Sequence, residues 1–343
     1  MIKEFQQFVK ENDLFNPEKD NILLAVSGGI DSMVLCDIFL KLKYKFSIAH
    51  CNFHLRGEES NRDENFVTDY AKKNNITLFK KSFDTFSYME NEKKSLEMSA
   101  RDLRYEWFKK VVKENGFSYL ATAHHSDDST ETFIINLLRG TGISGLHGIL
   151  PKTNMIIRPL LFTTRKKITE YADENHLTHV EDSTNKDNKF TRNKIRNEIV
   201  PILREISPNF DTIIRKDIER LRETEEVFRS VIDKVKQELL IKKDDRIEIE
   251  IEKLKKLQPI HIFLYEIFSE YGFNEATINS IYDSLDDISG KQFYSEKYRC
   301  VKDRKYLFIT KKEDDSFNTN YSINTYQTNI VYPLRLHIEV LKD

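Results

Sequence analysis

The chain has 343 residues, of which 39% are hydrophobic and 32% are charged, which excludes a mainly disordered protein and leaves room for two domains. Its formal net charge of −2 gives no overall basic character, so any binding of nucleic acid requires a local patch. The three cysteines are far apart, and we find neither a signal peptide nor a run of about 18 apolar residues, so we expect a cytoplasmic protein without cysteine-bound metal or membrane partner.

Residues 1–207 predict strands and helices in alternation. Buried-strand patterns lie at 22–26, 46–51, 76–81 and 118–125, with helical patterns between them at 33–42, 61–74 and 95–116. Such alternation implies an α/β fold with a doubly wound, mainly parallel sheet. Ligands of these sheets bind at the carboxyl ends of the strands.

After residue 207 the pattern changes to one long helix that ends near residue 240. An alternating strand follows at 246–254, then helices near 259–270 and 275–285, and two short strands around a turn in 291–310. We expect a mostly helical second domain of α+β type at 208–311. Residues 312–343 are expected to form a linker and the start of a possible further domain.

The loop SGGIDS at 27–32 follows the first strand and begins the first helix. A glycine-rich turn at this position leaves backbone N–H groups free to bind phosphate. Asp31 would repel phosphates unless a divalent cation lay between them, so the loop indicates Mg²⁺. The structural alternative is a plain turn with a helix cap. The residues predicted to bind a nucleotide here are Ser27, Gly28, Gly29, Ile30, Asp31 and Ser32.

This loop resembles that of the PP-loop ATP pyrophosphatases, of adenine nucleotide alpha hydrolase-like fold, which cleave ATP between its α and β phosphates. Four further stretches, at 49–67, 99–108, 123–149 and 182–201, are similar in order and spacing to the tRNA(Ile)-lysidine synthetase family. The resemblance implies that ATP, with Mg²⁺, activates the wobble cytidine of tRNA(Ile) with a CAU anticodon. Free L-lysine is then joined to C2 of that cytidine, and AMP and pyrophosphate are released.

Acidic residues begin the helix that follows the fourth strand. Asp128 and Glu131 are three residues apart and therefore share a helix face, although a charged helix start alone would give the same pattern. By resemblance, Asp31, Asp128 and Glu131 are the predicted catalytic residues, and Asp31 and Asp128 the predicted metal ligands. The stretch HCNFH resembles the chain that lines the adenine pocket of the family, which adds His50 and Asn52 to the ATP site.

Several arginines share helix faces and could contact RNA, although such faces are often merely solvated. Arg101 and Arg104 are three residues apart, and Arg192 and Arg196 are four apart. The resemblance extends the predicted tRNA or lysine contacts to Arg101, Arg104, Arg139, Asp182, Asn185, Arg192, Asn193 and Arg196.

Three other functions remain open at this stage: a tRNA thiolase, a small-molecule adenylating amide synthetase and an RNA-binding protein without activity. Thiolation is disfavoured because no pair of cysteines lies close in sequence. Longer members of the family carry a further C-terminal domain, so we expect either a short form or a truncated chain. A homodimer is possible.

Overall fold

The computed structural model describes residues 1–181, 191–243 and 245–312, together with the backbone of 329–330 and 336–337. The chain divides into two compact units, Met1–Glu226 and Val227–Asp343, and each is described by itself. The domain boundary expected at residue 207 precedes this division. One reason is that Arg222 donates hydrogen bonds to the carbonyls of His147 and Ile149, which belong to the first unit.

Strands and helices alternate along most of the first unit. The strands are β1 (Ile22–Ala25), β2 (Phe46–Asn52), β3 (Leu78–Ser82), β4 (Tyr119–Ala121), β5 (Lys152–Thr153) and β6 (Ile156–Ile157). The helices are α1 (Ile2–Glu11), α2 (Ile30–Lys41), α3 (Glu58–Lys73), α4 (Thr85–Glu92), α5 (Leu96–Asn115), α6 (Ser126–Arg139), α7 (Ile143–Leu146), α8 (Arg165–Glu174), α9 (Thr191–Lys194) and α10 (Val200–Ile206), with a π-helical turn at Ile195–Ile199. Helix α11 (Phe210–Leu239) begins in this unit and ends in the second.

The six strands form one sheet in the order β3-β2-β1-β4-β6-β5, parallel except for the β5–β6 pair. Both faces of the sheet are buried: Ile22 and Leu24 of β1 belong to one hydrophobic cluster, and Leu23 between them belongs to another. The doubly wound fold is therefore confirmed. Because β1 lies between β2 and β4, the strand order reverses beside it, and a ligand crevice is expected at its carboxyl end.

The second unit combines helices with an antiparallel sheet. Its elements are β7 (Leu240–Lys243), β8 (Arg246–Glu250), α12 (Ile251–Lys255), α13 (Ile260–Phe268), α14 (Glu275–Asp283), β9 (Gln292–Tyr294), β10 (Tyr298–Lys302) and β11 (Tyr306–Lys311), with a 3₁₀ turn at Ser269–Tyr271. Five strands pair in the order β7-β8-β11-β10-β9. This sheet is larger than expected, because residues 291–310 contain two turns rather than one and a strand directly follows α11.

A two-stranded antiparallel ladder, β12 (Asn329–Ile330) with β13 (Leu336–His337), lies in the segment expected to be a linker and further domain. Among the helices that the structure describes, none combines the length and the apolar character needed to span a bilayer.

Candidate active site

The loop between β1 and α2 has the backbone geometry of an anion site. Gly28 has a φ of +94°, and a Cβ added there would lie 2.9 Å from a methyl carbon of Val180, so the position requires glycine. Gly29 is the N-cap of α2 and offers no side chain to the first N–H groups of the helix. The hydroxyl of Ser32 donates to the Gly29 carbonyl (2.8 Å), while the Gly29 N–H donates to the Ser27 hydroxyl (3.3 Å). The start of α2 therefore offers uncapped N–H groups to a phosphate.

Asp31 and Asp128 both approach the same nitrogen of the His125 imidazole. Its Nε2 is 3.8 Å from Oδ1 of Asp31 and 3.5 Å from Oδ2 of Asp128. The adjacent strands β1 and β4 thus bring both carboxylates to one crevice, as the order of the motifs predicts. Ile30 points into the core, so only its backbone can contribute to this crevice.

Helix α6 contacts α9 and the following π-helical turn through charged side chains. Glu131, which is 1% exposed, accepts from Nε (2.5 Å) and Nη2 (2.9 Å) of Arg196, and its Oε2 is 3.1 Å from Nε of Arg192. Nη2 of Arg196 also reaches Oδ1 of Asp128 (3.2 Å), and Arg192 donates to the hydroxyl of Thr132 (2.8 Å). The spacings of three and four residues read from the sequence therefore place the acidic face of α6 against the arginines.

Burial and neighbouring charges act differently on the two carboxylates of α6. Burial alone would raise the pKa of Asp128, but the charges of His125 and Arg192 and the hydrogen bond from the His125 N–H outweigh it, so that this pKa is lowered. Burial raises the pKa of Glu131, although the hydrogen bond and charge of Arg196 oppose the shift. Asp128 is therefore held as a carboxylate near the crevice.

Sequence reasoning missed the residues that tie this site together. Asp127 accepts from the Arg165 N–H (2.8 Å) and from Nη2 of Arg204 (2.5 Å), and its Oδ2 is 3.4 Å from Nδ1 of His125. The Arg165 side chain pairs directly with Asp31. No local pattern marks Arg165 or Arg204, because their partners within the site, Asp31 and Asp127, are 38 to 134 residues away in the chain.

The side chains of His50 and Asn52 are bonded inside the unit. Nδ1 of His50 donates to the Val26 carbonyl (2.8 Å), and Asn52 donates to Glu64 (2.9 Å) and accepts from the His54 N–H (2.9 Å). Both side chains are almost fully buried. Any contact of these two residues with ATP is therefore expected from their backbone groups.

The predicted RNA-contacting residues outside this network are exposed. The Arg101 guanidinium lies 4.9 Å from the ring centroid of Tyr105, and that of Arg104 lies 5.1 Å from the Phe53 ring. Arg139 is exposed at the last position of α6. These three side chains are thus not brought together with the carboxylates of α6 by any contact that the structure describes.

Asn193 is half-buried in α9, beside Arg192. Asp182 and Asn185 lie outside the described residues, so their predicted roles stay predictions.

The described residues contain no group of three or more His, Cys, Asp or Glu side chains arranged to hold a metal ion. Mg²⁺ commonly binds through one or two carboxylates, water and substrate phosphates, and does not need such a group. Oδ1 of Asp31 suits this role, since it is buried and accepts no hydrogen bond from the described part of the chain. Asp128 suits it less, because its oxygens already contact Arg196 and the His125 N–H.

Comparisons with known proteins identify the family of each part of the chain. The PP-loop domain family matches residues 1–203, and the TilS substrate binding domain family matches residues 242–312. A tRNA(Ile)-lysidine synthase from Bacteroides thetaiotaomicron is 40% identical over 312 residues, which cover 90% of this chain and 72% of the relative. The chain belongs to the tRNA(Ile)-lysidine synthase family.

A second member of the lysidine synthase family, from Parabacteroides distasonis, is 38% identical over 320 residues, covering 92% of this chain and 72% of its own. Among solved structures, a U34-tRNA thiolase from Methanococcus maripaludis has a TM-score of 0.52 at 18% identity. It covers 65% of this chain and 78% of its own. That likeness concerns the fold alone. The part of this chain that matches the TilS substrate binding domain family begins within β7 and ends just after β11.

Proposed function

We propose that this chain uses ATP to join free lysine to C2 of the wobble cytidine of tRNA(Ile) with a CAU anticodon, releasing AMP and pyrophosphate. The observation that carries the proposal is the meeting of the glycine loop, through Asp31 and His125, with Asp128 on α6. Family membership supplies the choice of substrates.

In the first step, the C2 oxygen of the cytidine attacks the α-phosphate of ATP, and pyrophosphate leaves. The uncapped N–H groups at the start of α2 would bind the departing phosphates and stabilise their growing charge. Asp31 would hold Mg²⁺ beside them, which supplies positive charge at the same place. Arg165 lies against Asp31 and would contribute a second cation.

In the second step, the lysine side-chain amine attacks C2 and the adenylyl group leaves as AMP. A lysine amine has a pKa of about 10.4 and arrives protonated, so it must lose a proton before it attacks. Asp128 is suited to orient the ammonium group, because its lowered pKa keeps it ionised, and could relay the released proton to solvent.

Arg192 and Arg196 would contact the negatively charged substrates. Glu131 holds both guanidinium groups, so we assign it a positioning role rather than direct contact with substrate. The catalytic role that the sequence predicted for Glu131 stays untested.

We propose that Arg101, Arg104 and Arg139 of the first unit contact the tRNA. The second unit matches the substrate binding domain family, and we assign it a separate tRNA contact. All three substrates are available in the cytoplasm. A homodimer remains compatible with this proposal.

A thiolase is the weaker alternative, because such chemistry uses reactive thiolates. Burial raises the pKa of the Cys51 thiol to about 12, and it also raises that of Cys36. Neither thiol is therefore ionised at neutral pH.

The proposal predicts that Asp31→Asn lowers the rate of AMP and pyrophosphate release by about 100-fold or more, because the loop loses its metal-binding charge. Folding is expected to be retained, since the ion pair lost is partly exposed and contributes about 1 kcal/mol or less. Products are measured with labelled ATP, lysine and the CAU transcript. Asp69→Asn, an exposed aspartate of α3, serves as the matched control. Release of ADP in place of AMP by the unmodified protein would refute the proposal.

A further inference from the structure

An aromatic cleft lies at the carboxyl ends of β2 and β3, and the two chemical steps described above assign no role to its aromatic side chains. Its volume is about 310 Å³. The lining comes from two stretches, Phe53–His54 and Ser82–Phe86. The cleft therefore lies at the same edge of the sheet as the glycine loop that follows β1. Because β3 is two strands away from β1, the distance between them is ~10 Å.

The aromatic rings of the cleft are stacked in a fixed arrangement. The Phe53 and Phe83 rings lie 5.3 Å apart with an angle of 15° between their planes, and Trp107 meets Phe83 edge-on at 6.2 Å. The backbone reinforces this stack, since the Thr85 hydroxyl donates to the Phe53 carbonyl. Phe86 lies outside the stack and is 53% exposed, so its ring is open to a ligand.

Two cationic side chains contact these aromatic rings. Arg104 lies over Phe53 at 5.1 Å, and Lys81 lies over Phe83 at 5.5 Å. Neither cation forms an ion pair with any residue that the structure describes. The carboxylate in the lining, that of Asp84, is engaged as the N-cap of α4, where it accepts from the N–H and hydroxyl of Ser87. The cleft thus offers the exposed Phe86 ring, with the cations Arg104 and Lys81 beside the stacked rings and the Asp84 carboxylate in its lining.

We propose that this cleft binds an unpaired base of the tRNA anticodon loop that flanks the modified cytidine, with Phe86 as the stacking ring. The inference rests on the proposed function. Aromatic rings beside arginine or lysine are the usual receptors for unstacked RNA bases, and each stacked base contributes substantially to affinity.

The two cations beside the cleft favour an RNA base over the adenine of ATP. The phosphates of ATP are directed to the glycine loop, so the adenine needs no cation in its own pocket. A base within an RNA chain, in contrast, carries a phosphate on each side, and Lys81 and Arg104 are placed to meet them.

The test compares three variants of Phe86 in the full chain. Phe86→Leu keeps apolar area but removes the π face, so the Kd and KM for the CAU transcript should rise roughly tenfold. Phe86→Tyr keeps the ring and should bind like the unmodified protein, and Phe86→Ala should be at least as weak as Phe86→Leu. The KM for ATP should stay unchanged in all three.

Lys81 provides an independent readout. Lys81→Gln should lower the slope of log Kd for the transcript against log salt by about one, whereas Lys109→Gln, an exposed lysine of α5, should not. In addition, Trp107 is the single tryptophan of the chain, so its fluorescence should respond to the transcript and not to ATP alone.

The outcomes separate this inference from the proposed function. If the unmodified protein forms lysidine but Phe86→Leu binds the transcript as tightly, the cleft is not a base site. A rise in the KM for ATP instead would make the cleft the adenine pocket and overturn the proposal. If the unmodified protein forms no lysidine, the proposed function fails, while transcript binding by the Phe86 series still decides the base site.

Discussion

His124 and His125 are neighbours in the chain, but the fold shifts their pKa values in opposite directions. Burial lowers the pKa of His124 to about 4. The charge of Asp128 opposes this shift, whereas the charges of Arg158 and Arg192 add to it. Burial also acts against protonation of His125, but its carboxylate neighbours, among them Asp127, Asp128 and Asp31, outweigh it and raise the pKa. The carboxylates around His125 thus favour its protonated form, whereas burial favours the neutral form of His124.

The depressed pKa of His124 predicts a specific loss of stability in acid. Between pH 6.5 and about 4 the unfolded chain binds a proton at this position and the folded chain does not, so the free energy of unfolding falls as the pH falls. His124→Gln should remove about 1–2 kcal/mol of the difference between pH 7 and pH 5, a range that allows for the partial exposure of the ring. Denaturant unfolding at the two pH values, followed by Trp107 fluorescence, measures this difference. Equal pH dependence in both proteins would contradict the shift.

Single residues were predictable from sequence where their partners lie within one or two turns of the same helix. Asp128 with Glu131, and Arg192 with Arg196, share faces by spacing alone, and the structure places these faces together. Arg165 and Arg204 could not be found in this way, because nothing near them in sequence differs from an ordinary charged helix.

At the scale of elements, α6 is the part of the first unit on which the site depends. Its first turn contacts the starts of α2 and α8 through Asp31 and Arg165, and it contacts α10 through the pair of Asp127 with Arg204. Arg204 also binds Asp211 at the start of α11 through both Nε and Nη2. The helical segment from α9 to α10, which carries Arg192 and Arg196, is therefore held at two places. Glu131 binds both of these arginines near its start, and Asp127 binds Arg204 near its end.

Arg204→Met should loosen this arrangement without touching substrate. We expect kcat to fall roughly tenfold, because Arg192 and Arg196 lose their fixed position, while the KM for ATP changes little. The free energy of unfolding should fall by about 1 kcal/mol, since Asp127 keeps its other partners. Steady-state kinetics and denaturant unfolding provide both numbers.

Two further variants sharpen the test of Arg204. Arg204→Lys keeps one charge but not the forked geometry and should restore part of kcat. Lys110→Met removes an exposed ion pair of α5 with Glu114 and should leave both quantities unchanged. If Arg204→Met raised the KM for ATP and left kcat unchanged, the contact of Arg204 with Asp127 would serve ATP binding and not the positioning of Arg192 and Arg196.

The elements of the sheet were predictable in proportion to their burial. Strand β1 and the loop after it follow from a short apolar run and two glycines, and helix α5 ends at Gly116 in the left-handed conformation that its sequence predicts. The strands of the second unit were harder to find, because β7 directly continues a helical pattern. Likewise, β9, β10 and β11 alternate too briefly for their number to be read from the sequence.

At the scale of the whole molecule, the chain holds separate hydrophobic cores. The largest core of the first unit is built on β1 and α2, and that of the second on α13, α14 and the antiparallel sheet; no buried residue among those described belongs to both. A protein built in this way can keep a nucleotide site in one unit while the other is destabilised.

Leu264→Ala tests this independence. Leu264 is fully buried in the second core, so truncation should cost about 3 kcal/mol there, from lost burial and the cavity left behind. ATP binding, which depends on residues of the first unit, should be unchanged, whereas the Kd for the CAU transcript should rise at temperatures where the second unit begins to unfold. Calorimetry and the two binding titrations measure these effects. Ile262→Ala on the same helix is the control, because Ile262 is 44% exposed and should cost less than about 1 kcal/mol. A parallel loss of ATP affinity in Leu264→Ala would mean that the ATP site depends on the second core.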